Sequence, residues 1–405
     1  MPIDPLKFSV KLDDQREHIQ RRIQDRQSNL QAALAAYQEC NPQTWHELAT
    51  STQTNYNLAY LARSGPQASL LEKAAVQPGP KAYTVVATDS SPMPPDRHGG
   101  MAAFHLINLG LVMLRYGPDA EAALENRPLV YFDMLDEEGG EADAAQLIDM
   151  RGSVEELRSG LELARQHRAD LVLRDGPLSL WTTAQDMGEG GKSLRDEYFF
   201  LLEKQKAEGI PLIGYISSAH SQVVFNTLNL YLEELPPSLW DGLGDNLAPV
   251  ASGAAKARPK KAKSKTPGGV FARAGLVDAD LFRLLLQPGE RGPIFKTAIG
   301  RKPGEAHKQV LETCFTYYHT PFSGEIARIE FGEWLLDEPG LLDKALGLVH
   351  NQYHAGQGYP VALMEAHEQA VLRGGDRALI RDMLELEGLL EEESEKGRSK
   401  RLRGL

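Results

Sequence analysis

Ala82-Tyr83-Thr84-Val85-Val86-Ala87-Thr88-Asp89-Ser90-Ser91-Pro92 decides how the chain is read. Its opening residues are β-branched or aromatic and fit a pleated, half-buried surface. They run directly into an acid followed by turn-forming residues, so a strand ends with a carboxylate at its tip. A Pro/Gly-rich loop, Met93 to Gly100, leads to an apolar segment, Ala103 to Arg115, and a third strand is expected at Pro128 to Asp133. The connections are too short to hold a crossover helix, which predicts antiparallel pairing of these three strands.

Downstream the pattern changes. An acid-rich loop, Asp136 to Asp143, precedes a long helix whose buried stripe is Leu147, Met150, Val154, Leu157, Leu161 and Ala164. Asp170 to Arg174 reads as a short buried strand that stops at Asp175-Gly176-Pro177-Leu178. A helix over Ser193 to Glu208 and a strand over Ile210 to Ile216 follow. Alternation of helix and strand predicts that the later strands are parallel, joined by helical crossovers. Thr316 to His319 and Glu325 to Phe331 are read as two more strands, and helices from about Leu341 close the fold.

Upstream, Leu12 to Tyr37 places Ile19, Ile23, Leu30, Leu34 and Tyr37 at helical spacing, a surface for packing or dimerisation. The expected organisation is an α/β fold: a mixed sheet, antiparallel in its first three strands and then parallel, flanked by helices. Residues 1–78 form an N-terminal helical arm, 79–385 the main domain and 386–405 a charged tail. The stretch from about 251 to 269, ASGAAKARPKKAKSKTPGG, has almost nothing to bury and is expected to be a flexible basic insertion.

Composition narrows the classes. The 405 residues are 42% hydrophobic and 25% charged, the balance of a folded globular protein. The longest apolar stretch, Met101 to Leu114, is interrupted by His105 and Asn108 and falls short of the roughly 20 residues that span a bilayer. The opening MPIDPLKFSVKLDDQ lacks the apolar core of a signal peptide, so a cytoplasmic location is expected. Cys40 and Cys314 alone make neither a disulfide framework nor a zinc site. A net charge of -12 excludes a protein that coats nucleic acid by bulk electrostatics. Part of that charge is accounted for if carboxylates cluster around a divalent cation.

Asp89 and Asp175 both stand where a buried strand runs out, and sites in open α/β sheets form outside strand ends. The competing reading is that each bonds its own backbone in a turn. Glu155 and Glu156, on the long helix, are candidates for a third acid, although most acids there fit a solvated face. Gly358-Tyr359-Pro360 sets a phenol at a rigid turn before a helix bearing Glu365, His367 and Glu368. A lone helical histidine is also a common structural residue.

In order and spacing, five segments resemble the NurA family of DNA-repair nucleases. They are Val85 to Ser91; Arg151 with Glu155-Glu156; Leu173 to Leu178; Ile326 to Phe331; and Gly358-Tyr359-Pro360 with Glu365-Ala366-His367. The resemblance implies a ribonuclease-H-like fold and a two-metal site taking Mn²⁺ or Mg²⁺. It also implies a homodimer acting on DNA ends, with exonuclease and single-strand endonuclease activity, alongside a HerA-type hexameric ATPase. Carried residue by residue, the catalytic set is Asp89, Glu156, Asp175, Tyr359 and His367, with Glu155 the alternative to Glu156. Asp89, Glu156, Asp175 and His367 are the implied metal ligands, and Tyr359 is expected to touch the scissile phosphate.

Departures from the family pattern are Asp89-Ser90-Ser91 and Asp175-Gly176-Pro177 in place of Asp-Gly-Ser, and Ser217 or Ser218 where a lysine is expected. Arg97, Arg151, Arg174 and Arg328 are candidates to hold the DNA backbone, with salt bridging to acids as the other reading. No GxxxxGK[ST] loop is present, so ATP use is assigned to a partner. Two rivals remain: a non-catalytic ring clamping DNA or capping an ATPase motor, and an RNA-directed ribonuclease-H-type enzyme.

Overall fold

The structure is a computed structural model that describes residues 4–51, 61–65, 67–94, 104–132, 141–179, 188–234, 271, 274–297, 312–356 and 358–388. Arg97, the basic stretch at 251–269 and the tail beyond residue 388 lie outside these residues. Helix α1 spans Pro5–Gln38; Asp4 caps its start by accepting from the Leu6 and Lys7 amides, and proline fills the first helical position. Its last turns bury Ala32, Ala33, Ala36 and Tyr37. Helix α2, Pro42–Thr50, adds the buried Trp45, whose ring meets Tyr37 edge-on with centroids 5.7 Å apart.

The strands follow as β1 (Ala74–Ala75), β2 (Tyr83–Met93), β3 (His105–Tyr116) and β4 (Glu121–Tyr131), then β5 (Leu171–Asp175) and β6 (Leu212–Ile216). Helix α3 (Glu141–His167) joins β4 to β5, and α4 (Gly188–Ala207) lies between β5 and β6. Helices α5 (Val223–Glu234) and α6 (Asp278–Leu285) precede β7 (Glu290–Arg291), β8 (Phe295–Thr297), β9 (Thr313–His319) and β10 (Ile326–Gly332). A short 3-10 turn leads to α7 (Leu341–Ala355), α8 (Val361–Ala370) and α9 (Gly374–Leu386).

One mixed sheet runs in the order β1-β7-β9-β10-β6-β5-β2-β3-β4, with β8 alongside β9. β2, β3 and β4 pair antiparallel, and β5 then β6 join β2 in parallel, which is the ribonuclease-H-like arrangement. β9 and β10 differ from the expected parallel continuation: they pair antiparallel with each other, and β10 is antiparallel to β6. The reason is the connection from Thr320 to Glu325, closed by a Thr320 amide to Glu325 carbonyl bond of 2.9 Å, which has no room for a crossover.

Alternation along the strands sends side chains to the two faces of the sheet. Val85, Ala87, Leu171, Leu173, Tyr215 and Ile329 pack under α7 and α8. Val86, Val172 and Leu212 pack under α3 and α4, while Phe315, Tyr317 and Ile326 meet α1, α5 and α6. At the latter contact the buried Asp278 accepts from the Val224 amide at 3.1 Å, the Phe225 amide at 3.0 Å and Tyr317 Oη at 2.8 Å. It thereby satisfies amides at the start of α5. Cys40 and Cys314 are free, buried thiols. Among the described residues no helix is long and apolar enough to cross a membrane.

Candidate metal centre

The register explains why acids distant in sequence meet. Thr88 is paired with Arg174 where β2 and β5 run side by side, so the residues that follow, Asp89 and Asp175, emerge together at the same sheet end. Across the sheet, Asp89 faces Gly110 of β3. A Cβ at Gly110 would collide with the Ala366 carbonyl oxygen of α8, so only glycine lets α8 approach this closely. His367, the next residue of α8, thereby reaches the point where the β2–β5 ladder ends; β5 stops at Asp175, whereas β2 does not stop at Asp89 as its sequence suggests but runs on to Met93, still paired with β3. Asp89, Asp175 and His367 each present a ligand atom within 4.8 Å of the others. His367 Nδ1, carrying the proton, donates to Asp89 Oδ2 at 2.8 Å.

Tyr359 completes the setting from the turn before α8. Its hydroxyl donates to Asp175 Oδ2 at 3.2 Å, and its ring lies edge-on to Tyr215 with centroids 5.3 Å apart. Burial, and next the charge of Asp89, push the Asp175 carboxyl above its ordinary range; the Tyr359 hydrogen bond, His367 and Arg174 oppose the rise. Burial followed by the charge and hydrogen bond of Asp175 raises the Tyr359 phenol, which keeps it protonated and donating. Carboxylate oxygens with one imidazole suit a divalent cation such as Mn²⁺ or Mg²⁺, and a cation relieves the repulsion between the two aspartates. The donor set fits the implied metal.

Glu156 is adjacent yet differently engaged. It accepts from Ser90 Oγ and forms a buried ion pair with Arg174, whose Nε lies 2.6 Å from Oε2. Burial raises the Glu156 carboxyl, an effect that Arg174 and the Ser90 hydroxyl counteract. Burial alone would lower the Arg174 guanidinium, but the Glu156 charge holds it above its usual value. Among the described residues, the ligand atoms that gather within 4.8 Å are those of Asp89, Asp175 and His367; Glu156, the fourth ligand implied by the resemblance, is paired with Arg174. Glu155 points elsewhere: it accepts from Tyr131 Oη at 2.9 Å and pairs with Arg158. Glycines one turn either side of Glu156 bring α3 onto the strand; a Cβ at Gly152 would meet Ser90 Oγ at 2.9 Å, and one at Gly160 would meet Thr88 Cγ2 at 3.3 Å.

The arginines expected on DNA are also accounted for differently. Arg328 is 1% exposed, its Nη2 lies 2.7 Å from Glu330 Oε1, and its guanidinium covers the Phe315 ring. Glu330 in turn accepts from the Leu178 and Ser179 amides, each at 3.0 Å. A guanidinium withdrawn from water needs its own carboxylate, and Arg174 and Arg328 each have one, in Glu156 and Glu330. Arg151 stacks on Tyr131, 4.5 Å from the ring centroid, with Nη1 3.0 Å from His105 Nε2. Where a lysine was expected, the Ser218 amide donates to Glu325 Oε1 at 2.7 Å. Sequence reading passed over three contributors: Ser90, directly after Asp89; Tyr215, which lies opposite Asp175 in the register; and Glu325.

A NurA domain family profile matches residues 83–372. No protein of curated function matches the sequence. The crystal structure of the NurA nuclease from Sulfolobus solfataricus aligns at 13% identity with a TM-score of 0.45, over 78% of this chain and 86% of that one. A crystal structure of NurA with manganese aligns at 13% identity and TM-score 0.37, over 77% and 91%. Human ENDOV aligns at 14% identity and TM-score 0.30, over 75% and 86%. With the family profile spanning β2 to the end of α8 and the strand-tip carboxylates inside it, this chain belongs to the NurA domain family.

Proposed function

We propose that the protein is a metal-dependent nuclease that hydrolyses phosphodiester bonds of DNA at the Asp89–Asp175–His367 cluster. The observation that carries this reading is the convergence of these three side chains within 4.8 Å at the carboxyl ends of parallel strands. Family membership supports DNA as the substrate. A bound Mn²⁺ or Mg²⁺ would neutralise charge on the phosphoryl oxygens and acidify water. Asp89 and Asp175 would hold the cation, and Tyr359 fixes the Asp175 carboxylate through its hydroxyl. His367, the most exposed member, holds or hands over a proton at Nδ1 and would share Asp89 with the cation. Glu156 and Arg174 form a rigid polar floor that orients Ser90 beside Asp89. A second cation would draw on Glu156, the remaining carboxylate next to Asp89.

At the finer level, we assign residues 79–385 as the nuclease unit of a cytoplasmic homodimer. In this reading it trims DNA ends as an exonuclease, cuts single strands internally and works with a HerA-type hexameric ATPase. The deciding experiment incubates linear single-stranded and duplex DNA, RNA and hybrid duplex with the protein in Mn²⁺, Mg²⁺ or EDTA, with and without the ATPase. Metal-dependent DNA cutting that stops in EDTA is expected. Absence of cutting with either metal, in the presence of the ATPase, overturns the proposal in favour of a non-catalytic DNA-clamping ring. Cutting confined to RNA or hybrid duplex replaces the substrate.

A further inference from the structure

At the sheet end that carries the carboxylate cluster stands an aromatic side chain that neither the core nor the chemistry above employs. Phe322 is 53% exposed at the tip of the β9–β10 hairpin. The hairpin is well fixed: besides its backbone closure, Thr320 Oγ1 and Ser323 Oγ lie 2.8 Å apart, and Gly324 supplies a left-handed turn at φ +65°. Its position follows from the register. Arg328 of β10 pairs with Ile216, the last residue of β6, and β6 runs parallel to β5, whose last residue is Asp175. The hairpin therefore projects at the sheet end that carries Asp89 and Asp175.

Contacts tie it to the site itself. Glu325, at the base of the hairpin, accepts from Tyr215 Oη at 3.4 Å, and Tyr215 packs against Tyr359, the partner of Asp175. Gly358, with φ at +120°, passes beneath the tip; a Cβ built there would lie 3.6 Å from Ser323 Cβ and 3.9 Å from Phe322 Cβ. The Phe322 ring meets His354 of α7 edge-on, with centroids 4.7 Å apart. Single exposed hydrophobic residues are ordinary. This one is held on a short, internally bonded turn that packs on Gly358, the residue before Tyr359, whose hydroxyl donates to Asp175.

Resting on the nuclease reading, we propose that Phe322, braced by His354, is a stacking platform for one unpaired base of the strand being cut, and so sets a preference for single-stranded or frayed DNA. A base within a duplex has both faces covered by its neighbours, whereas a splayed base offers a free π-face to an aromatic ring. Stacking of this kind tolerates any sequence, which suits an enzyme that must process whatever end it meets.

The test measures affinity of the full-length protein in EDTA for a single-stranded oligonucleotide carrying 2-aminopurine and for a blunt duplex. Phe322→Ala and Phe322→Leu are compared with Phe322→Trp. The single-strand to duplex affinity ratio is expected to fall about 5- to 100-fold in the Ala and Leu variants. The Trp variant is expected to restore both the ratio and the quenching of 2-aminopurine. Leu keeps the apolar bulk without the π-face, so a ratio unchanged in the Leu variant overturns the proposal even where Ala perturbs the hairpin. If that happens while Asp89→Asn still abolishes cutting, the platform falls and the nuclease reading stands. A wild-type protein that neither binds nor cuts DNA removes both.

Discussion

His367 Nδ1 and Asp89 Oδ2 lie 2.8 Å apart although 278 positions separate the two residues in the chain. The contact joins the last-but-one described helix to the first long strand of the sheet, so the site exists only when the whole central fold is assembled. Asp89→Asn removes one of the two like charges, Asp89 and Asp175, that repel beside this junction. The variant is expected to melt no lower than the parent in EDTA, to lose the upward melting shift given by Mn²⁺, and to cut DNA more slowly by on the order of a thousandfold. A Mn²⁺-induced shift and cutting rate equal to those of the parent would remove Asp89 from the site.

Tyr359→Phe keeps the ring against Tyr215 but deletes the donor to Asp175. Loss of an outer partner of a metal ligand typically costs 10- to 100-fold in metal affinity or activity, and a fall of about that size in apparent Mn²⁺ affinity is expected. Saturating Mn²⁺ should recover most of the rate. Complete inactivity at saturation would instead make the phenol a direct participant, as nucleophile or phosphate contact.

Arg174→Met leaves Glu156 as an uncompensated buried charge. Breaking such a pair is expected to lower stability by about 3 to 5 kcal/mol, read from urea unfolding, and adding Glu156→Gln should return most of it. The salt dependence of DNA binding should be unchanged in the double variant. A slope reduced by about one would give Arg174 a phosphate contact after all.

Asp278 provides a pH signature. Burial pushes its carboxyl up to about 6, against hydrogen bonds from the Phe225 and Val224 amides that act the other way. The folded protein therefore holds this proton more tightly than the unfolded chain. The stabilisation is fully present below the ordinary carboxylate value of 3.8 and is lost as pH rises through about 6. Its size is on the order of 3 kcal/mol. Subtracting the stability profile of Asp278→Asn from that of the parent should show a decline across this window, and a flat difference would refute it.

Much of this architecture was legible in the residues. β2 and β5 announced themselves because each is an apolar run that meets an acid; β5 does end there, while β2 carries on past Asp89 to Met93 because β3 goes on pairing with it after β5 has stopped. The antiparallel return of β9 and β10 was equally legible by the rule applied to β2, β3 and β4, since Thr320 to Glu325 is too short for a crossover. Choosing Glu156 over Glu155 needed the glycines at 152 and 160, which mark the α3 face that touches the strand. Partners of Arg174 could not be read, because Glu156 lies on another element. Arg328 and Glu330 could have been, since residues two apart on a strand share a face. Tyr359 and His367 stood out only through the family pattern, for a lone phenol or imidazole has no periodicity to betray it.

Gly110 carries no functional group, yet it governs the gap between Asp89 and His367. Its bare backbone is what allows α8 to settle onto β3, and a single methyl there would prise the helix away from the strand tips. The calibration of this centre thus belongs to a residue with no chemistry of its own. A survey confined to reactive side chains would count every tool in the workshop and overlook the gauge that sets the jaws.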